Sequence, residues 1–232
     1  MIEEAIRAFR KGKPVLLYDF ESREGETDIA IPALAVEARD VAFMRREGGG
    51  LICVSVPFEA AELFGLPFMH EVLERSGTDF PVLRDLSQHD IKYDSRSSFS
   101  IWINHRDTFT GITDIDRSLT IRKMGEAVRS VLKGDDYDFG AEFRSPGHVA
   151  VLKASANLVY ERVGQTELSI ALAELAEITP AVAICEMLDE ETGRALSKDR
   201  ALEFAKEKGV PFVTGEEVVK AYREYEPVRV KI

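Results

Sequence analysis

The chain of 232 residues is short of several things, and each shortage narrows what it can be. It has only two cysteines, Cys53 and Cys185, each inside an apolar run. That fits buried free thiols better than a disulfide framework or a reactive nucleophile, although neither of these is excluded. Basic residues are outnumbered, 30 Lys and Arg against 41 Asp and Glu, for a net charge of −11. Such a balance argues against general nucleic-acid binding, which needs a surplus of cations for phosphate contacts. No apolar run approaches the roughly 20 residues of a membrane span. The N-terminus Met1-Ile-Glu-Glu lacks the basic-then-apolar pattern of a signal peptide. Repeats, low-complexity segments and linkers are also missing. The expectation is a cytoplasmic globular protein with no nucleic-acid or membrane partner.

What is present is enough to build a core: 45% of residues are apolar and 31% charged. Ile2, Ala5, Ile6 and Phe9 recur at helical spacing until Lys11-Gly-Lys-Pro14. Val15–Tyr18 is a buried-strand run, and 29–35 is a second strand that Pro32 assigns to an edge or a bulge. Helices are expected at 37–47 and 58–65, and a strand at 51–56. Residues 70–98 are polar and aperiodic, and read as a long excursion with one short strand. In Phe99–Asn104, Phe99, Ile101 and Ile103 alternate with Ser100, Trp102 and Asn104, which predicts a strand with Trp102 on the face opposite the other three. Ser118 reads as the N-cap of a helix carrying Ile121, Met124, Val128 and Leu132. Residues 134–147 read as a loop. Further strands are expected at 149–154, 181–187 and 210–213. Further helices are expected around Leu168–Leu175, from the cap Ser197 to Lys208, and at 216–225. This irregular alternation predicts one mixed-sheet α/β (α+β) domain spanning 1–232.

Five stretches could carry chemistry. Asp19-Phe-Glu-Ser-Arg-Glu-Gly-Glu-Thr-Asp28 packs five carboxylates and one arginine into ten residues directly after a strand. A hard divalent cation is one reason to tolerate such crowding, and a solvated acidic loop is the other reading. The spacing is not that of an EF-hand, a zinc helix or a phosphate-cradling glycine loop. In Phe143-Arg-Ser-Pro-Gly-His-Val149, His148 could act as acid or base, or be an inert loop histidine. Arg162-Val-Gly-Gln-Thr-Glu167 joins an arginine, a threonine and a helix start into an anion site or an ordinary helix cap. Thr110-Gly-Ile-Thr-Asp-Ile-Asp-Arg117 offers hydroxyls to a phosphate, a weak signal by itself. Glu186 ends an apolar run, where burial would raise its pKa.

Taken in order, these stretches resemble one family, 3,4-dihydroxy-2-butanone-4-phosphate synthase. The matching residues are Asp19 with Arg23–Asp28, Gly50–Cys53, Phe99-Ser-Ile, Thr110–Arg117, Ser145–Val149, Gly164–Glu167 and Ile184–Glu186, spread over about the whole chain. Asp90-Ile-Lys-Tyr-Asp94 within the long excursion resembles the archaeal branch. The resemblance implies conversion of ribulose 5-phosphate to 3,4-dihydroxy-2-butanone 4-phosphate and formate in riboflavin biosynthesis. It also implies Mg2+ (or Mn2+), proton transfers around a stabilised enediolate, and a homodimer with its sites near the subunit interface. Carried over by position, Glu24 and Gln165 would bind the metal. Arg23, Glu24, Glu26, Asp28, Gly164, Gln165 and Glu186 would meet the substrate, with His148, Glu186 and Glu26 moving protons and Cys53 lining the site. Arg162 and Thr166, with Thr110 and Thr113, would hold the phosphate. One departure stands out: Gln165 occupies the place of the family's metal-ligand histidine. An amide oxygen suits a hard cation but cannot titrate. An impaired or non-catalytic sugar-phosphate-binding homologue is therefore the alternative reading.

Overall fold

A computed structural model describes residues 1–86 and 90–225. In chain order the elements begin with α1 (Ile2–Arg10), β1 (Val15–Tyr18), β2 (Thr27–Pro32), α2 (Ala38–Phe43), β3 (Cys53–Val56) and α3 (Phe58–Phe64). Next come α4 (Met69–Ser76), α5 (Pro81–Leu86), β4 (Phe99–His105), α6 (Asp114–Leu132), α7 (Phe139–Glu142) and β5 (Phe143–Lys153). The series closes with α8 (Gln165–Leu175), β6 (Val182–Glu186), β7 (Leu188–Asp189), β8 (Arg194–Ala195), α9 (Lys198–Lys208), β9 (Phe212–Thr214) and α10 (Gly215–Glu224).

Seven strands form one mixed sheet in the order β4-β5-β3-β6-β2-β1-β9, with β3–β5 and β1–β9 parallel and the other pairs antiparallel. The short apolar strands lack a polar face because both faces are covered. Alternation then assigns each residue a layer. Leu16, Tyr18, Ile29 and Ile31 join Val41, Ile121, Met124 and Ala201 on one face. Val15, Leu17, Ala30, Ile184 and Cys53 join Phe9, Leu168, Leu172 and Tyr222 on the other. Helix α8 packs on β1, β2, β3 and β6 and is flanked by α1 and α10, so nearly every residue in it is buried. That all-round burial explains its weak amphipathic signal.

Five expectations need correction, the first being that 134–147 is a loop: α7 and the start of β5 occupy residues 139–147. Strand β2 is interior, between β6 and β1, and Pro32 is its last residue, opposite Val182. A proline there costs no interior ladder bond, because Ala33 N–H takes over the pairing to Ala181 O at 2.8 Å. The 70–98 excursion holds two helices, α4 and α5, and no strand among its described residues; 87–89 lie outside them. Helix α6 begins at Asp114, capped by Thr113, whose hydroxyl accepts from Asp116 N–H at 3.1 Å. Ser118 lies inside it and donates to Ile115 O. In β4, a register shift between Phe99 and Trp102 sets three steps against two on β5. This bulge turns Phe99 over to the α8 face, where its ring stacks on Trp102 at 5.2 Å. Ile101 and Ile103 stay on the opposite face, so Trp102 does oppose them.

Candidate active site

Because β1 and β2 are antiparallel neighbours, the acidic loop is a connection at one end of the strands. Asp19, fully buried, organises it: its carboxylate accepts N–H bonds from Glu24 at 3.1 Å and Glu26 at 3.0 Å. Asp19 is thus spent on the loop's own backbone. At the same end of the strands, Asp28, the second residue of β2, lies directly opposite Glu186, which ends β6. Cross-strand partners share a face, so these two carboxylates lie together on the α8 side. Gly50 leaves room for Glu186; a Cβ there would lie 2.3 Å from its Oε2, which accepts Leu51 N–H at 2.8 Å. The N-terminus of α8 brings Gln165 and Thr166 over the strands.

The result is a small cleft of about 100 Å³ lined by Glu24, Asp28, Cys53, Arg162, Gln165, Thr166 and Glu186. Ile91, Tyr93, Arg96, Ser97 and Ser98 also line it, all from the end of the long excursion. Its electrostatics are those of crowded carboxylates. Glu26, beside the cleft but not among its lining residues, is pushed up to about 7 by burial, then by the charges of Glu24, Glu186 and Asp19. Asp28 is driven well above the ordinary carboxylate range by burial and the same neighbours, and burial also raises Glu186. Burial pushes the Cys53 thiol well up, so it is a protonated wall of the cleft rather than a nucleophile. Tyr93 is raised to about 12 by burial and by Glu24 beside it.

Gln165 is buried, and its Nε2 donates to the carbonyls of Leu17 at 3.2 Å and Glu26 at 3.1 Å. Both partners are acceptors, so the network itself fixes the amide orientation. Oε1 is left buried with no partner, as is Asp28 Oδ1. Two orphaned oxygens among unneutralised carboxylates suit a hard cation. Among the described residues no group of three His, Cys, Asp or Glu forms a metal cage. A cation here would take a carboxylate and an amide and complete its shell with water or substrate, as magnesium commonly does.

The other residues singled out from sequence are placed as follows. Arg23 pairs with Asp94 at 2.7 Å, and Arg162 pairs with Asp94 and Glu167, leaving Arg162 Nη2 without a hydrogen bond among the described residues. Gly164 is the N-cap of α8. His148, Thr110 and Thr113 are not among the lining residues of the cleft. They belong to a second cluster at β4 and β5. There the Ser145–His148 segment loops out of the pairing between Asn104↔Arg144 and Ile103↔Val149, with a cis peptide at Ser145–Pro146. Asn104 accepts His148 N–H at 2.9 Å and donates its amide to Nδ1 at 3.1 Å, so a neutral His148 carries its proton on Nε2. Gly111 packs against Asn104, and Thr110 Oγ1 donates to Asp116 at 3.3 Å. The hydrogen bond from Gly111 N–H, outweighing some burial, holds Asp116 below the usual carboxylate range. Sequence reasoning gave no role to Asp94, Tyr93 or Arg96; the motif around Asp94 was visible, but not what it would touch.

A buried carboxylate cluster with orphaned oxygens, beside an arginine and a helix N-terminus, defines a metal-assisted acid–base enzyme for a small anionic substrate. Residues 3–221 match the family described as 3,4-dihydroxy-2-butanone 4-phosphate synthase, and the chain belongs to that family. It is 63% identical over 231 residues to the 3,4-dihydroxy-2-butanone 4-phosphate synthase of Archaeoglobus fulgidus, covering 99% of this chain and 97% of that one. With the synthase of Methanosarcina mazei it shares 52% over 223 residues, covering 95% and 90%. A solved synthase in a cation-free form superposes with a TM-score of 0.76 at 27% identity, covering 97% of this chain and 98% of the other. One in complex with two magnesium ions gives 0.74 at the same identity and coverage. An impaired homologue finds no support in similarity of this extent.

Proposed function

We propose that this cleft converts ribulose 5-phosphate to 3,4-dihydroxy-2-butanone 4-phosphate and formate, in a cytoplasmic enzyme that acts as one domain and as a homodimer. The observation that carries the reading is the convergence of Glu24, Asp28 and Glu186 with the orphaned Gln165 Oε1 on one cleft. The atoms of the two products sum to those of the substrate, so the reaction requires rearranged bonds and moved protons only. Glu24 and Gln165 are the residues that would hold Mg2+ (or Mn2+). When bound, the ion supplies positive charge for the anion left as a proton departs beside the ketone.

The chain's own groups do the rest. Glu186 has Oε2 fixed by Leu51 N–H, so Oε1 takes the proton from carbon. Asp28, whose burial favours the neutral form, offers a carboxyl proton to a substrate hydroxyl. Glu26, raised to about 7, gives and takes protons near neutrality, and Arg23 keeps the loop in place. Cys53 walls the floor. Arg162 Nη2, the Thr166 hydroxyl and the first N–H groups of α8 hold the phosphate. His148, Thr110 and Thr113 serve the cleft of a second copy, since none of them lines the cleft of its own chain. Their cluster lies among the exposed apolar residues Phe109 (94% exposed), Ile115 (72%) and Ile112. A patch of this kind is an interface waiting for its partner.

Incubation with ribulose 5-phosphate and magnesium, followed by carbon NMR, is the test. Formate and the four-carbon phosphate are expected in equal amounts. Binding of ribulose 5-phosphate with no formate at any magnesium concentration would sink the reading.

A further inference from the structure

Five charged side chains of alternating sign run beside the cleft: Asp19, Arg23, Asp94, Arg162 and Glu167. Arg23 Nη2 and Arg162 Nε reach the same oxygen, Asp94 Oδ2, at 2.7 and 2.6 Å. Arg23 Nε lies 3.9 Å from Asp19, and Arg162 Nη1 bonds Glu167. None of the five side chains is more than 11% exposed. Both ends are anchored to backbone. Asp19 accepts the N–H groups of Glu24 and Glu26, and Glu167 Oε1 accepts Ser155 N–H at 2.9 Å from the first turn of α8.

The chain of charges therefore links the peptide of Glu24 to the turn that carries Gln165. Asp94 is its middle member and comes from a third segment. Its carboxyl resists ionisation through burial, but the hydrogen bonds and charges of Arg23 and Arg162 outweigh this and hold it below its ordinary range. Without that negative charge, two weakly solvated guanidinium groups would face each other across one oxygen's width and repel. Long-range coupling through ion pairs of this kind is stiff, because each arginine is held by carboxylates on two sides.

We propose that Asp94 is a positioning residue that sets the spacing between the Glu24 loop and the start of α8, so that Glu24 and Gln165 can share one cation. Asp94 itself is not among the residues that line the cleft. The inference rests on the reading of Glu24 and Gln165 as metal ligands, and its test separates the two. Metal-stripped protein is titrated with Mn2+ without substrate, and free Mn2+ is read by electron paramagnetic resonance for wild type, Asp94→Asn and Glu24→Gln. Thermal unfolding establishes that each is folded at the working temperature.

Asp94→Asn keeps the shape and removes the charge. It is expected to weaken Mn2+ binding roughly ten-fold, the size of effect seen when partners that orient metal ligands are removed. Arg23→Lys, which keeps the charge and loses the fork geometry, is expected to weaken it by less. A merely structural Asp94 would lower the melting temperature and leave Mn2+ affinity unmoved. Weakened binding in Glu24→Gln with wild-type affinity in Asp94→Asn and Arg23→Lys overturns the positioning role and leaves the metal site standing. Wild-type affinity in Glu24→Gln as well overturns both.

Discussion

Gln165 shows how one residue can satisfy two demands. Its amide nitrogen is tied to two main-chain carbonyls, while its oxygen is left over for something the chain does not supply. A histidine could keep one of those N–H bonds and offer a ring nitrogen as the ligand, a stronger donor. Gln165→His should therefore lower the magnesium concentration that half-saturates formate production, by several-fold to about ten-fold. No gain at any concentration would mean that the amide oxygen is already a competent ligand or lies outside the metal shell. Glu26 makes the second prediction at this scale. Its folded pKa, about 7, lies above its ordinary value of 4.5, so the folded state binds the extra proton between those values. The stability this contributes is full below the ordinary value and is lost as pH rises through about 7. Metal-free protein should thus melt lower at pH 8 than at pH 5.5. Magnesium should restore the difference at pH 8 and do little at pH 5.5. Equal magnesium stabilisation at both values would disconnect the carboxylate cluster from the ion.

At the level of elements, the strand edges decide what meets what. Period-2 alternation correctly separated Trp102 from Ile101 and Ile103, but the bulge at 100–101 moved Phe99 across the sheet. A bulge is set by what the partner strand presents, so a single strand's pattern cannot show it. The His148 segment is of the same kind, a four-residue departure from pairing rather than the plain loop its composition indicated. Gly147 is where it can least tolerate change, since a Cβ would lie 1.9 Å from the Ile103 carbonyl carbon. Gly147→Ala should cost about 1–3 kcal/mol by chemical unfolding, as overpacking against backbone does, and should displace His148. An alanine variant with wild-type stability and activity would show that the β4–β5 edge yields easily. The acidic loop was more legible, because its charges and its position after an apolar strand are both local. Asp19 was not, since its role depends on which N–H groups the loop folds back onto it.

For the whole molecule, the described chain carries two separated clusters: the carboxylate cleft, and the group of His148, Asn104 and Thr110 beside an exposed apolar patch. His148 belongs to β5, which β3 separates from the β6 strand of Glu186, so the two are about two strand spacings apart, on the order of 10 Å. If each cleft is completed by the partner, Glu24→Gln and His148→Ala should each be inactive as pure proteins. Mixed under conditions of subunit exchange, they should recover roughly a quarter of wild-type activity, because half the dimers then hold one intact site. If the patch around Phe109 is the proposed interface, Phe109→Asp should give a folded monomer by sedimentation velocity and abolish turnover. A fully active Phe109→Asp monomer would place every working residue within one chain.

The sequence by itself determined the layers of this protein and the kinds of chemistry open to it. Apolar alternation and caps such as Ser197 act over a few residues, and a crowd of carboxylates after a strand is legible wherever the strand goes. The tertiary structure alone decided which charges are spent and which are left. Pairing of β2 with β6 placed Asp28 beside Glu186, and the strap at 90–98 brought Asp94 between two arginines. The packing of α8 turned Gln165 so that its nitrogen is used and its oxygen is free. Each of these contacts joins residues dozens to more than a hundred positions apart, and burial then sets their charge states. Neither distance nor dielectric is written in local sequence.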